Sequence, residues 1–253
     1  MIKAIINGCN GAMGQVLTKI IDEMEDIEIV AGIDKNIDAH KNNYPVYEHI
    51  CSYEGKADVV IDFSNPGCFE EVLQYGVNKT TPLVIATTGL TPENLVSLDE
   101  ASKSIPIFHS YNTSLGVNVL VSLVKKAAAI LSESFDIEII EKHHNKKVDA
   151  PSGTAYMIAN AINEELNNSM KFVYGREGKD AKRAKNDIGI HAVRGGTIPG
   201  EHTVIFAGMD EIVEVKHTAL SKNIFAQGAI KAAKYIVNKD NGLYNMNDII
   251  KEA

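Results

Sequence analysis

The stretch Ile2–Met24, IKAIINGCNGAMGQVLTKIIDEM, decides the fold. Ile2 to Asn7 is a short, mostly apolar run that reads as a strand. Gly8, Gly11 and Gly14 follow at three-residue spacing, and Val16, Leu17, Ile20, Ile21 and Met24 then recur at the period of an amphipathic helix. Strand, glycine-rich turn and helix is the context that a dinucleotide fingerprint requires, because a pyrophosphate needs close backbone approach at a helix N-terminus. The spacing is GxxGxxG, with Asn10 where the commonest form places its second glycine. A second strand, residues 28–33, ends at Asp34, twenty residues beyond Gly14. An acid is expected there to meet an adenosine ribose.

Outward from this unit, ADVVIDF (57–63) and PLVIA (82–86) are continuous apolar runs, as strands buried on both faces tend to be. Ser64 to Gly67 opens a helix over about 68–78, and Thr91-Pro92 supplies the cap and first-turn proline of another. Residues 105–109 close the series. Alternating strands and helices predict a right-handed parallel sheet with ligands at the carboxyl ends of its strands. Phe63-Ser64 lies at such an end, and the expected cofactor contacts are Gly8, Cys9, Asn10, Gly11, Ala12, Met13, Asp34, Lys35, Ala86, Thr87, Thr88, Ser110, Tyr111, Asn112 and Thr113.

The pattern then changes. A helix over 116–131 leads to a strand over 135–142, with Phe135, Ile137 and Ile139 on one face and Asp136 and Glu138 on the other. Continued, that alternation puts Glu141 and His143 on the apolar side, and Lys142 and His144 opposite. A helix over about 153–166 follows, then GREGKDAKRAK (175–185), which reads as a mobile charged loop. Strands over 188–194, 202–206 and 211–217 have no long helix between them and predict a mixed or antiparallel sheet. A last helix spans 224–237 and a short tail 242–253. The fold class is α/β: a Rossmann-like N-terminal dinucleotide-binding domain and a second, α+β domain on a mixed sheet.

Chemistry concentrates in EKHHNKKVDAPSGTA (141–155). Lys142, His143, His144, Lys146 and Lys147 are five ionisable side chains within six positions. Alone, such a cluster reads as a solvated basic turn. Directly behind it, Pro151 suits a first helical turn, and Ser152, Gly153 and Thr154 offer N–H groups and hydroxyls at a helix start, which is a ready carboxylate cradle.

A net charge of −8 argues against a general nucleic-acid or anionic-membrane binder. Cys9, Cys51 and Cys68 lack CxxC spacing and fit reduced thiols, which speaks against a zinc knuckle. His191, His202 and His217, with no acidic partner at ligand spacing, read as strand or site-rim histidines, so no metal is expected. The N-terminus lacks signal-peptide character and no run reaches membrane-span length, so a cytoplasmic protein is expected.

These residues resemble the dihydrodipicolinate reductase family, 4-hydroxy-tetrahydrodipicolinate reductases of the diaminopimelate route to lysine. The match to E-x-H-H-x-x-K-x-D-A-P-S-G-T-A runs through Glu141, His143, His144, Lys147 and Asp149–Ala155. It extends to GxxGxMG (8–14), DFS-x-P (62–66), TTG (87–89), RGG-x-x-x-GEH (194–202), His217 and FAxGA (225–229). Ala12 and Lys222 stand where the family often has Arg, Thr113 where an aromatic is common, and Lys146 where His is frequent. The resemblance implies reduction of a cyclic imine dicarboxylate to tetrahydrodipicolinate with NADH or NADPH, usually by a homotetramer assembled through the second domain's sheet. It implies a dinucleotide-binding domain of residues 1–113 plus 223–253, and a substrate-binding and oligomerisation domain of 114–222. It makes His143 the acid/base residue and Lys147 the proton-donor lysine, and leaves open which delivers the proton. It assigns His144 to substrate contact, and Gly153 and Thr154 to a substrate carboxylate, which Ser152 of the same helix start is also expected to bind.

Two other readings are a dinucleotide-sensing regulator without chemistry and another NAD(P)-dependent amino-acid, imine or aldehyde dehydrogenase on the same scaffold. The first predicts erosion of the 143–154 cluster, which is intact. The second typically needs a different His/Lys layout or a catalytic cysteine, and no cysteine lies near the cluster in sequence.

Overall fold

The computed structural model describes residues 1–252. Its strands are β1 (Ile2–Asn7), β2 (Ile27–Ile33), β3 (Val46–Tyr47), β4 (Val59–Asp62), β5 (Leu83–Ile85), β6 (Pro106–His109), β7 (Asp136–His143), β8 (Lys171–Tyr174), β9 (Asp187–Arg194), β10 (Gly200–Ala207), β11 (Ile212–Ala219) and β12 (Gly242–Tyr244). Its helices are α1 (Ala12–Ile21), α2 (Phe69–Lys79), α3 (Pro92–Ser102), α4 (Leu115–Leu131), α5 (Gly153–Glu165), α6 (Asn223–Ile236) and α7 (Met246–Lys251). The chain divides into two compact units, Met1–Leu115 with Lys222–Ala253, and Gly116–Ser221.

In the first unit seven strands form one sheet in the order β12-β6-β5-β4-β1-β2-β3, every pairing parallel. The chain builds outward from β1 through β2 and β3, then returns to β4 on the other side of β1. That reversal is the switch point where open α/β sheets bind ligands. Alternation sends Ile5, Val60, Leu83, Ile85 and Ile107 to one face, against Phe69 and Val72 of α2 and Leu98 of α3. Ala4, Ile6, Ile61, Val84 and Phe108 go to the other, against Leu17 and Ile21 of α1 and Ala226, Ala229 and Ala233 of α6. Each fully buried isoleucine or leucine is worth roughly 1.5–3 kcal/mol. The small residues of α6 allow close approach: a Cβ at Gly228 would stand 1.7 Å from the Thr113 carbonyl oxygen.

Contrary to the sequence reading, β6 is not the last strand, because β12 from the supposed tail pairs with it in parallel. Neither β12 nor β3, three and two residues long, is long enough to show a hydrophobic period.

In the second unit five strands run β11-β10-β7-β9-β8. β7 pairs antiparallel with β10 and parallel with β9, so the sheet is mixed. Ile137, Ile139, Glu141 and His143 are buried while the residues between them are half-buried. The inward face packs on Leu120 and Val124 of α4 and Ile158 and Ile162 of α5. On the other face Glu201 pairs with Lys142 at 2.6 Å and Lys216 at 2.8 Å.

Residues 175–185 are irregular, as expected, but not loose. Arg176 donates to Glu138 at 2.9 Å, and Arg183 to Asp136 at 2.8 Å and to the Asp187 carbonyl at 2.6 Å. Two of the loop's cations, Arg176 and Arg183, are thus partners for acids on the sheet's outer face.

Candidate active site

At the carboxyl edge of the first sheet the glycines are constrained by space. Gly8 has φ +78° and a Cβ there would sit 2.8 Å from the Phe63 carbonyl oxygen, while a Cβ at Gly14 would sit 2.2 Å from the Gly8 carbonyl oxygen. Gly11 is the N-cap residue of α1, with Ala12 and Met13 in its first turn. Exposed Gly11 and Ala12 leave the helix start open, the arrangement a pyrophosphate needs. The turn is clasped to the loop after β2. Asp34 accepts the Asn10 backbone N–H at 3.0 Å and that of Asn36 at 3.0 Å, and the Asn10 amide donates to the Asn36 carbonyl at 2.6 Å and accepts from Asn42 at 2.9 Å. Lys35 is exposed beside it and lines, with Asn36, Ile37, Asp38 and Ala39, an open cavity of about 460 Å³. These residues fit a dinucleotide.

Cys9, inside the turn, is a core residue. Its side chain is buried, burial together with the Asp34 charge pushes the thiol up to about 12, and a Cβ at Gly32 would stand 2.6 Å from its sulfur. Cys51 is exposed and Cys68 half-buried, both in this unit.

Further along the edge, Thr87 donates its hydroxyl to Asp62 at 2.7 Å, beside buried Ala86 and exposed Thr88. Ser110 bonds the Asn112 carbonyl at 2.8 Å, Tyr111 is exposed, the Asn112 side chain accepts the Ser114 N–H at 2.9 Å, and Thr113 donates to the Phe225 carbonyl at 2.8 Å. Asp62 was not among the expected contacts. Fully buried, it also accepts from Asn7 at 2.8 Å and from the Ser64 hydroxyl at 2.6 Å, and so braces three strand ends.

In the second unit the 141–155 motif surrounds one carboxylate. Glu141 is 0% exposed. Arg194 donates to both its oxygens at 2.7 Å, the Ser152 N–H donates to Oε1 at 3.0 Å, and His143 Nδ1 shares a 2.6 Å hydrogen bond with Oε2. Burial pushes the carboxyl pKa up, but hydrogen bonds from Arg194, His143 and Ser152 outweigh it and hold the group below the ordinary range. His143 is buried, with its ring edge-on to His202 at 5.2 Å. His202 shares a 2.9 Å bond with the Ser152 hydroxyl, and burial, with His143 nearby, lowers its pKa to about 4, so it is neutral at pH 7.

The cradle differs in detail from the sequence reading. Helix α5 starts at Gly153 with Ser152 as its N-cap, so Pro151 lies before the first turn. The Ser152 hydroxyl accepts the Ala155 N–H at 3.2 Å and meets His202, while its own N–H is taken by Glu141. Ser152 therefore builds the helix start, with exposed Gly153 and half-buried Thr154 in its first turn. Gly153 is exposed and nothing lies within 4 Å of where its Cβ would be. Lys147 folds back by donating its N–H to the His144 carbonyl at 3.1 Å, and its ammonium pairs with Asp149 at 2.8 Å, lowering that acid's pKa. His144 is half-buried, one residue beyond the end of β7.

Glu141, Arg194 and His202, which the sequence offers only as motif residues, complete this cluster. The available signal was alternation along β7, which puts Glu141 on the face of His143. Strand register supplies the rest: Arg194 stands opposite His143 on β9, and His202 opposite Glu141 on β10. His191 does have an acidic neighbour, Glu138 at 2.7 Å, contrary to expectation. Among the described residues no group of three metal-binding side chains forms, and no helix is long and apolar enough to cross a membrane.

Comparison with known proteins agrees with this layout. Residues 2–113 match the family model described as dihydrodipicolinate reductase, N-terminus, and residues 116–250 that described as dihydrodipicolinate reductase, C-terminus. The chain is 53% identical over 253 residues to the 4-hydroxy-tetrahydrodipicolinate reductase of Caldanaerobacter subterraneus subsp. tengcongensis, covering 100% of both chains. It is 50% identical to that of Clostridium novyi, covering 99% of each. A dipicolinate-bound dihydrodipicolinate reductase from Paenisporosarcina superposes with a TM-score of 0.83 at 25% identity, over 98% of this chain and 99% of that one. The chain belongs to the dihydrodipicolinate reductase family.

Proposed function

We propose that His143 and Lys147 supply the proton chemistry of the family reaction, and that Gly153 and Thr154, on the helix start that Ser152 builds, hold a substrate carboxylate. The reaction is NAD(P)H-dependent reduction of 4-hydroxy-tetrahydrodipicolinate to tetrahydrodipicolinate, in lysine biosynthesis through diaminopimelate. It takes up a hydride and a proton and releases water. Bound NADH or NADPH supplies the hydride.

The residues of this chain do the rest. Charge that develops on the substrate nitrogen as hydride adds to the conjugated ring needs a proton, and an imidazole, which can both hold and release one, is suited to give it. Lys147 adds a fixed positive charge beside the ring and can serve either the nitrogen or a carboxylate. His144 is a further substrate contact. The first-turn N–H groups and dipole of α5 favour an anion. The single observation that carries this reading is that Glu141 ties His143 and the α5 start together through its two oxygens.

By the same reading, residues 1–113 with 223–253 form the cofactor domain, with contacts from Gly8 to Met13, Asp34 and Lys35, Ala86 to Thr88 and Ser110 to Thr113. Residues 114–222 form the substrate and assembly domain. The ligand is a small cyclic dicarboxylate, like the dipicolinate bound to the Paenisporosarcina enzyme. The protein is a cytoplasmic homotetramer. The reaction is tested by following NADH and NADPH oxidation when substrate is generated in situ from pyruvate and aspartate semialdehyde. Absence of oxidation with both cofactors would refute it.

A further inference from the structure

We propose that Glu141 is a positioning residue that locks the proton of neutral His143 on Nδ1, and so makes Nε2 the atom that hands a proton to substrate. This rests on the reading of His143 as the acid. Nδ1 and Glu141 Oε2 are 2.6 Å apart, too close for two lone pairs to face each other, so a hydrogen lies between them. Arg194 donates to both carboxylate oxygens and the Ser152 N–H to one, so Glu141 is already the acceptor of three hydrogen bonds from groups that do not give up their protons. The shared hydrogen therefore belongs to His143. A neutral imidazole has one N–H, so Nε2 carries the lone pair when the ring is neutral and the transferable proton when it is charged. A Cβ at Gly200 would come within 3.2 Å of Nε2, so glycine keeps a side chain off that atom.

The charged and titratable groups around the ring come from four strands and from the turn after β7. Glu141 lies on its own strand, Arg194 opposite it on β9, His202 edge-on from β10, and His217, which influences His202, on β11. Lys147, in the turn after β7, adds positive charge toward His202. Arg194 offsets the Glu141 charge, leaving a hydrogen-bond anchor with no large net charge. Because Oε1 also holds the Ser152 N–H, the same carboxylate sets the distance between the acid and the carboxylate cradle.

The test is a long-range proton–nitrogen correlation spectrum of the full-length protein labelled with nitrogen-15 histidine, taken where His143 is neutral. His143 signals are identified by their loss in His143→Ala. The expected pattern is Nδ1–H in the wild type. In Glu141→Gln the amide N–H can donate to Nδ1, so the pattern becomes Nε2–H. An Nε2–H pattern in the wild type overturns the proposal, even if the variant does not fold. So does a folded Glu141→Gln that keeps the Nδ1–H pattern. Wild-type turnover in His143→Ala would instead remove the acid reading, and with it the proton-transfer half of the proposal, while the tautomer is still decided by the spectrum.

Discussion

Arg194 grips Glu141 through both arms of its guanidinium, Nη1 to Oε2 and Nη2 to Oε1, each at 2.7 Å. The pair joins the ends of β7 and β9, and a further Nη2 contact to the Asp149 carbonyl at 2.7 Å fixes the segment leading into α5. A fully buried carboxylate needs such a partner, since desolvation otherwise drives it to the neutral form.

Arg194→Ala should therefore destabilise the fold by about 3 kcal/mol at neutral pH, the lower end of the cost of stranding a buried charge. The pH dependence has a defined sign. In the wild type the lowered Glu141 pKa gives stability that is present above the ordinary value of 4.5 and is lost as pH falls through the folded value. In the variant burial acts without Arg194, the pKa rises, and the deficit shrinks on acidification. Denaturant melts at several pH values check this, and a deficit that is constant or grows toward acid would contradict it.

Thr154→Val should mainly raise KM for substrate, because a hydroxyl donor to a bound carboxylate acts before the transition state. Pyridine-2,6-dicarboxylate should compete with substrate. Steady-state inhibition patterns decide the matter, and no competition at millimolar concentration would count against the cradle.

Cofactor choice follows from Asp34 and Lys35. The Asp34 carboxylate, oriented by the Asn10 and Asn36 N–H groups, suits ribose hydroxyls and repels a 2′-phosphate. Exposed Lys35 offsets that repulsion without the fork of an arginine. Both cofactors should be used, with about a tenfold NADH preference, or about 1.4 kcal/mol. Lys35→Ala should weaken NADPH and leave NADH nearly unchanged. A strong wild-type NADPH preference in kcat/KM, or equal losses in the variant, would overturn this.

A homotetramer should form through the second unit's sheet, whose outer face carries half-buried Ile140 and Ile205 among ion pairs. Light scattering at working concentration should give the mass of four chains, and a monomer would contradict the assignment.

The sequence made the parallel half of the fold legible because its strands are buried on both faces and show as unbroken apolar runs, such as VVID and LVI. The alternation of β7 was equally direct: it put Glu141 and His143 inward before any contact was known. What stayed hidden was set by pairing at a distance. Strands β3, β8 and β12 are two to four residues long and exist through their neighbours. Arg194 reaches Glu141 across 53 residues, and Thr87 reaches Asp62 across 25. The 175–185 loop looked solvated because its acidic partners, Asp136 and Glu138, lie on another strand. At the cradle, Ser152 was recognisable as a helix cap, but not that Glu141 and His202 take its N–H and share its hydroxyl.

The most direct test of the account compares turnover and cofactor affinity in His143→Ala and Lys147→Ala. Loss of one acid/base group costs about 10²–10⁴-fold in rate. Each variant should lose kcat on that scale while the Kd for NADH, measured by fluorescence titration, stays at the wild-type value. Near-normal kcat in either variant would contradict the role given to that residue, and near-normal kcat in both would remove the proposed proton chemistry from this site.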